Sequence, residues 1–263
     1  LMENSLLFVV DLDGVIFRGK RVIKGAARAV EKLRKAGHGF AFATNRSTDS
    51  RAQYFRKLRE AGVARSISEI MPSSYATVLY MKEKGMKRGN VFAIGGRGFK
   101  SELSAAGFNV LGVKDRAKAV FVVVGLDFKF NYEKLAKAHI HLQNGAKLIA
   151  SNADNTWPAE NGLLPGAGSM LSAVTAASGV KPVVVGKPGT FMLKKICELK
   201  KCRRDRLWVV GDRLDTDIMF GKLYGAKTVL VLTGVSSASE ARRLGMRQRP
   251  DFIIKSIAEL PNL

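Results

Sequence analysis

Short apolar runs alternate along this chain with longer segments of helical period, and that alternation restricts the fold more than any other feature. Residues 6–10, 40–43 and 91–94 are such runs, and each is followed by a helical pattern, over 25–36, 51–61 and 99–106. A strand buried on both faces reads as a continuous apolar run, and a helix between two of them makes the crossover that parallel pairing requires. The pattern predicts an α/β fold, a parallel sheet covered by helices. Further runs at 120–124, 148–150, 183–185, 207–210 and 228–232 extend it, and Gly37, Gly62, Gly85, Gly107, Gly145, Gly179 and Gly225 stand where helices should stop.

In open parallel sheets ligands bind beyond the carboxyl ends of the strands, so the residues that follow each run carry the chemistry. Run 6–10 delivers Asp11-Leu12-Asp13-Gly14, run 40–43 delivers Thr44-Asn45, run 183–185 delivers Gly186-Lys187-Pro188, and run 207–210 delivers Gly211-Asp212, with Asp217 following. The runs between about 91 and 150 end in nothing comparable. Chemistry is concentrated in the two ends of the chain, and the middle reads as an insertion. The boundaries read as 1–78 and 183–263 for the two parts of a core domain and 79–182 for the inserted one.

Composition narrows the function classes. With 263 residues, 46% of them apolar, the chain can bury a sizeable core. The first apolar run stops at Asp11, far short of the ~20 residues of a membrane span or the core of a secretory leader. That reading places the protein in the cytoplasm, with no membrane partner. Cys197 and Cys202 lack metal or redox spacing, and His139 and His141, two apart on a helix, would point away from each other. The balance of 44 Lys and Arg against 22 Asp and Glu, net +22, attracts phosphate-bearing partners. The basic residues are spread along the chain with acidic ones between them, which favours a solvated surface over a nucleic-acid groove.

Asp11 and Asp13, two apart in extended backbone, share one side, and Gly14 permits a tight departure. Carboxylates so close repel unless a cation or a shared proton lies between them; a hard divalent ion with oxygen ligands suits them, with Asp212 as a third anion. A lone pair of this kind is most often a turn or a helix cap, but four reactive strand ends ask for a common site. Lys187 can neutralise a phosphoryl oxygen, while the Thr44 hydroxyl and nearby amides can donate hydrogen bonds to it.

These segments, in this order, resemble the four motifs of the haloacid dehalogenase-like superfamily: Asp11 to Gly14, Thr44-Asn45, Val185 to Pro188 and Gly211 to Asp217. Leu232-Thr233-Gly234-Val235 and Pro165 to Ser169 resemble its nitrophenylphosphatase-type branch, which includes pyridoxal phosphate and phosphoglycolate phosphatases. The resemblance implies a Rossmann-like core with an α/β cap inserted between the second and third motifs. It further implies a phosphatase for small-molecule phosphate esters, with Asp11 as nucleophile and Asp13 as general acid and base. Magnesium would be held by Asp11, the backbone carbonyl of Asp13 and Asp212, with Asp217 supporting the ion's waters or Lys187. Thr44, Asn45, Arg46 and Lys187 would bind phosphate. Arg46 departs from the branch, which usually has a second asparagine there; it either adds charge to the phosphate pocket or points outward, and a contact made through the backbone amide favours a side chain that points outward or stands behind the residues that touch phosphate. Trp157 would meet the leaving group or pack between the two domains.

Two other readings are weighed against this one. The high charge admits a nucleic-acid-binding protein that keeps the fold without catalysis, which the intact motif set disfavours. Asp13 likewise disfavours a dehalogenase or a phosphonate hydrolase. A homodimer is left open.

Overall fold

The computed structural model describes residues 5–86, 88–159 and 162–263. Strand β1 (Leu7–Val10) leads into a hairpin of β2 (Phe17–Arg18) and β3 (Arg21–Val22), then α1 (Ala26–Lys35), β4 (Gly39–Thr44), α2 (Arg51–Glu60) and β5 (Ile70–Pro72). The middle of the chain contains α3 (Ser73–Glu83), β6 (Asn90–Ile94), α4 (Arg97–Ala105), β7 (Asn109–Leu111), β8 (Phe121–Val124), α5 (Tyr132–Gln143) and β9 (Lys147–Ala150). A second hairpin, β10 (Thr156–Ala159) with β11 (Gly162–Pro165), precedes α6 (Ala167–Ser178) and β12 (Val183–Val184). The last part holds α7 (Phe191–Lys200), β13 (Leu207–Gly211), α8 (Met219–Tyr224), β14 (Lys227–Val231), α9 (Ala238–Arg243) and β15 (Phe252–Ile254).

The chain divides into two compact units. The first comprises residues 1–44, 55–71 and 187–263, the second 45–54 and 72–186. The sequence reading put the insertion at 79–182. The later boundary differs because β12 pairs in parallel with β9, Val183 opposite Ile149, so this run belongs to the second sheet and the first unit resumes at Lys187; the second unit also takes in residues 45–54 and 72–78. No helix among the described residues is long and apolar enough to cross a membrane.

In the first unit the strand order is β15-β14-β13-β1-β4-β5. β1 lies between β13 and β4 and is parallel to both, with Val10 opposite Val210 and Phe42. All four of its residues are buried, as a strand covered on both faces demands. From β1 the chain steps toward β4 on one side and later toward β13 on the other, which makes the β1–β13 boundary a topological switch point. Helix α1 buries Ala26, Ala29, Val30 and Leu33, one stripe at helical spacing, and leaves Arg28, Lys32 and Lys35 outside.

The second unit is built on its own five-stranded sheet, β12-β9-β8-β6-β7. Phe92, Ile94, Val122, Val124, Leu148 and Ala150 form its core with Leu142, Met170 and Leu171 from α5 and α6. His141 is buried in the same unit, its Nδ1 accepting the Ala119 N–H at 3.2 Å, so it serves packing.

All seven glycines read as helix stops have positive φ, between 69° and 93°. The elements that the apolar runs did not announce are β2, β3, β5, β7, β10, β11 and β15. Each has two to four residues, too few for a strand period to show.

Arg34 on α1 and Glu69 form a buried bidentate pair in the first unit, with bonds of 2.7 and 2.9 Å; Arg34 also donates to the Val63 carbonyl, and the Arg65 N–H donates to Glu69. Replacing one partner strands the other's charge out of water. Glu69→Ala is expected to lower unfolding free energy by about 3–5 kcal/mol, whereas Arg34→Met with Glu69→Leu recovers most of it. Urea unfolding of the three proteins checks this; equal losses in single and double variants would contradict it.

Candidate active site

The switch point gathers the charged residues that the sequence singled out. The Asp11 N–H donates to the Val210 carbonyl at 2.9 Å, which continues the β1–β13 ladder one step and sets Asp11 beside the end of β13, where Asp212 follows. Lys187 reaches across this end of the sheet. Its Nζ donates to Asp11 Oδ1 at 2.5 Å, to Asp217 Oδ1 at 2.6 Å and to the Ala43 carbonyl of β4 at 3.2 Å. Thr44, the last residue of β4, is buried.

Asp217 sits in a turn of π-helix, Leu214–Ile218, and its Oδ2 accepts the Arg213 N–H at 3.2 Å. Such turns recur at functional sites because the widened ring re-aims a side chain. Asp212 Oδ2 accepts the Val235 N–H at 2.8 Å. Asp13 is half-buried in the loop after β1, bridged to Phe17, and its charge acts on Asp11.

Three glycines make room for these carboxylates. A Cβ on Gly14 or Gly234 would collide with Asp212, and one on Gly211 with Asp217. The Gly14 backbone, at φ 78°, also needs the left-handed region. In the sequence Gly211 and Gly234 are marked only by position, at a strand end and within Thr233-Gly234-Val235.

The electrostatics are unbalanced. Burial raises the pKa of Asp11 well above its ordinary value, Lys187 opposes that rise, and Asp217, Asp212 and Asp13 add to it. Burial, then Asp217, pushes Asp212 up to about 7, with the Val235 N–H and Lys187 pulling the other way. Burial would lower the pKa of Lys187, but Asp11 and Asp217 outweigh it, and the ammonium is held charged. One ammonium cannot compensate this many carboxylates. Carboxylate oxygens of Asp11, Asp212 and Asp217 lie within 4.8 Å of one another, and an all-oxygen, net-negative set of this kind fits a hard divalent cation.

The remaining candidates belong to the second unit and have partners there. Asn45 Nδ2 donates to both oxygens of Asp154 at 3.1 Å, and its carbonyl accepts bonds from Ser73 Oγ and Asn152 Nδ2. The Arg46 guanidinium lies over the Trp157 ring, 4.9 Å from the centroid. Phe128 packs on the same tryptophan at 5.7 Å. The sequence did not show the Asp154 and Trp157 contacts, since both partners are more than a hundred residues away.

Comparison with known proteins gives a consistent result. The family model described as Haloacid dehalogenase-like hydrolase matches residues 8–109, and one described as HAD-hydrolase-like matches residues 184–260. The chain is 36% identical to Phosphoglycolate phosphatase 2 of Arabidopsis thaliana over 100% of its own length and 94% of the relative's. Among solved structures it resembles a p-nitrophenyl phosphatase from Archaeoglobus fulgidus, with TM-score 0.89, 32% identity and 98% of each chain covered. It also resembles a glycerol phosphate phosphatase from Mycobacterium tuberculosis in complex with magnesium, with TM-score 0.87, 31% identity, and 97% of this chain and 76% of that one covered.

The carboxylate repulsion leads to a test. A carboxyl whose folded pKa is raised from 3.8 to about 7 favours the metal-free folded state in acid; that contribution is lost as pH rises through this window. A hard divalent cation relieves the repulsion where it is complete. Magnesium chloride is therefore expected to raise the melting temperature more at pH 8 than at pH 5.5, with about 2.7 kcal/mol of stabilisation at a hundredfold excess over Kd. Scanning calorimetry of chelator-treated protein measures it, and a shift independent of pH would contradict the assignment.

Proposed function

Because the chain belongs to the haloacid dehalogenase-like hydrolase family and is one of its phosphatases, we propose that it hydrolyses small-molecule phosphate monoesters through an aspartyl-phosphate formed on Asp11. The observation that carries this reading is the Lys187 ammonium bonded to Asp11 at the switch point of the sheet. A buried carboxylate held against a fixed cation can approach a phosphate dianion that it would otherwise repel.

Asp11 attacks phosphorus, an Oδ–P bond forms and the ester P–O bond breaks. Asp13, protonated, gives its proton to the departing oxygen. As carboxylate it then takes a proton from water, which attacks the phosphoryl group, frees inorganic phosphate and restores Asp11. Lys187 spreads positive charge over the attacking carboxylate, and Thr44 supplies a hydroxyl to a phosphoryl oxygen. Asp217 positions Lys187 through its 2.6 Å bond. Asp11, Asp212 and the Asp13 carbonyl would hold magnesium, with Asp217 close by; when bound, the ion supplies charge that stabilises ionised Asp11 and the phosphoryl oxygens. The magnesium complex of the mycobacterial relative supports that choice of ion.

The relatives named above act on phosphoglycolate, p-nitrophenyl phosphate and glycerol phosphate, all small esters. We assign selectivity among such esters to the inserted segment, residues 79–182, because the residues that handle phosphate lie outside it and selectivity is commonly grafted onto a conserved chemistry. Both cysteines are free thiols, which suits the reducing cytoplasm where we place the enzyme.

Asp11→Asn is expected to abolish turnover of p-nitrophenyl phosphate while leaving circular dichroism unchanged; turnover near wild type would refute Asp11 as nucleophile. Asp13→Asn should slow hydrolysis by roughly 10²–10⁴-fold. Its deficit should be larger for glycerol phosphate, whose leaving group needs a proton, than for p-nitrophenyl phosphate. Steady-state kinetics on both esters decides the role, and equal deficits would remove Asp13 from it.

A further inference from the structure

A groove of about 760 Å³ in the first unit runs along α1 and the 3₁₀ turn Ile257–Asn262, lined by Lys24, Arg28, Lys32, Thr233, Ser256 and Asn262. That volume falls in the range of small-molecule pockets, roughly 300–1,000 Å³. Its lining includes no carboxylate. Lys24, Arg28 and Lys32 recur every fourth residue, so Arg28 and Lys32 stack one above the other on α1, with Lys24 just before its N-terminus.

Like charges at this spacing repel, and nothing among the described residues relieves them: none of the three side chains has a hydrogen bond or ion pair. The nearest acidic residues in sequence are engaged elsewhere. Glu31 is bonded to Arg65 at 2.7 Å, and Glu259 accepts the Lys255 N–H at 2.9 Å. The N-terminal end of the α1 dipole adds to the positive potential. Ala29 and Pro261 give the groove an apolar side on which an organic group can rest.

We propose that this groove is a binding site for a small diphosphate-bearing molecule that acts as an effector. A diphosphate supplies about three negative charges to three uncompensated cations within one concave surface, and guanidinium and ammonium groups are its natural partners. Thr233 makes occupancy detectable at the active site. Its hydroxyl donates to the Gly14 carbonyl at 2.5 Å, its carbonyl accepts from Arg18 at 2.7 Å, and two residues on the Val235 N–H holds Asp212. A ligand that shifts Thr233 therefore shifts the support of Asp212.

The test uses the full chain. Inorganic pyrophosphate and α,β-methylene-ADP are titrated calorimetrically into chelator-treated protein, where no turnover occurs. Binding of at least one is expected, and the tighter identifies the source of the diphosphate. Arg28→Glu with Lys32→Glu should weaken binding by about tenfold or more, since each reversed contact was charge-assisted. Its basal turnover of p-nitrophenyl phosphate with magnesium should be unchanged, while the analogue's effect on that turnover, present in wild type, should disappear. Arg242→Glu with Arg243→Glu, the same charge change on exposed residues of α9, should leave binding intact. Absence of binding, equal weakening in both double variants, or loss of binding in Lys187→Ala instead would overturn the proposal. An analogue that binds the groove without altering turnover would overturn its effector role.

Discussion

The bond from Lys187 to Asp11 and Asp217 is the constraint on which the rest of the first unit depends. A buried ammonium is costly unless it is paired and hydrogen-bonded, and buried carboxylates are costly for the same reason. Here a single cation, almost wholly out of solvent, is shared by two carboxylates and the Ala43 carbonyl. It thereby ties together the ends of β1 and β4 and the turn after β13. These are the elements that the six-stranded sheet must bring level if their loops are to meet at one point. The site is left net negative, a charge that suits a hard dication.

The second constraint is steric. Asp212 and Asp217 stand where glycine backbone leaves space for them, and the loop that carries Thr233 to Val235 closes over Asp212 because Gly234 has no side chain to hold it away. Charge placement and backbone shape are therefore one problem at this end of the sheet. A larger residue at Gly14 or Gly234 would displace the carboxylate instead of merely crowding it.

Much of this was legible in the sequence because strands in a parallel sheet are buried on both faces and end abruptly. Asp11, Thr44 and Asp212 each interrupt an apolar run, so polarity alone marks the edge of the sheet where ligands bind. Lys187 was legible for a related reason, although its strand proved to belong to the second sheet: β12 follows β9, and which parallel neighbour a short run adopts is decided by distant packing, not by its own residues. Arg46 and Asn45 show the limit. Their partners, Trp157 and Asp154, come from and beside a hairpin whose strands of four residues carry no strong period. The groove along α1 escaped for another reason. Its cations are ordinary surface residues in a chain of net charge +22, and only their lack of carboxylate neighbours distinguishes them.

The position of β1 has a consequence for how the protein comes into being. Leu7 lies opposite Leu207, so the strand bearing Asp11 emerges from the ribosome long before the neighbour it needs on one side. The sheet of the second unit, by contrast, uses strands that follow one another along residues 90–184, and its pairings close over shorter stretches of chain. Local pairings form sooner, and domains tend to acquire structure as they are synthesised. The inserted unit can therefore mature while β1 still waits, and the carboxylate cluster is assembled only when Asp212 and Asp217 arrive. The complete cluster is thus a property of the finished chain: a nascent or prematurely terminated product that contains Asp11 lacks the carboxylates that stand beside it.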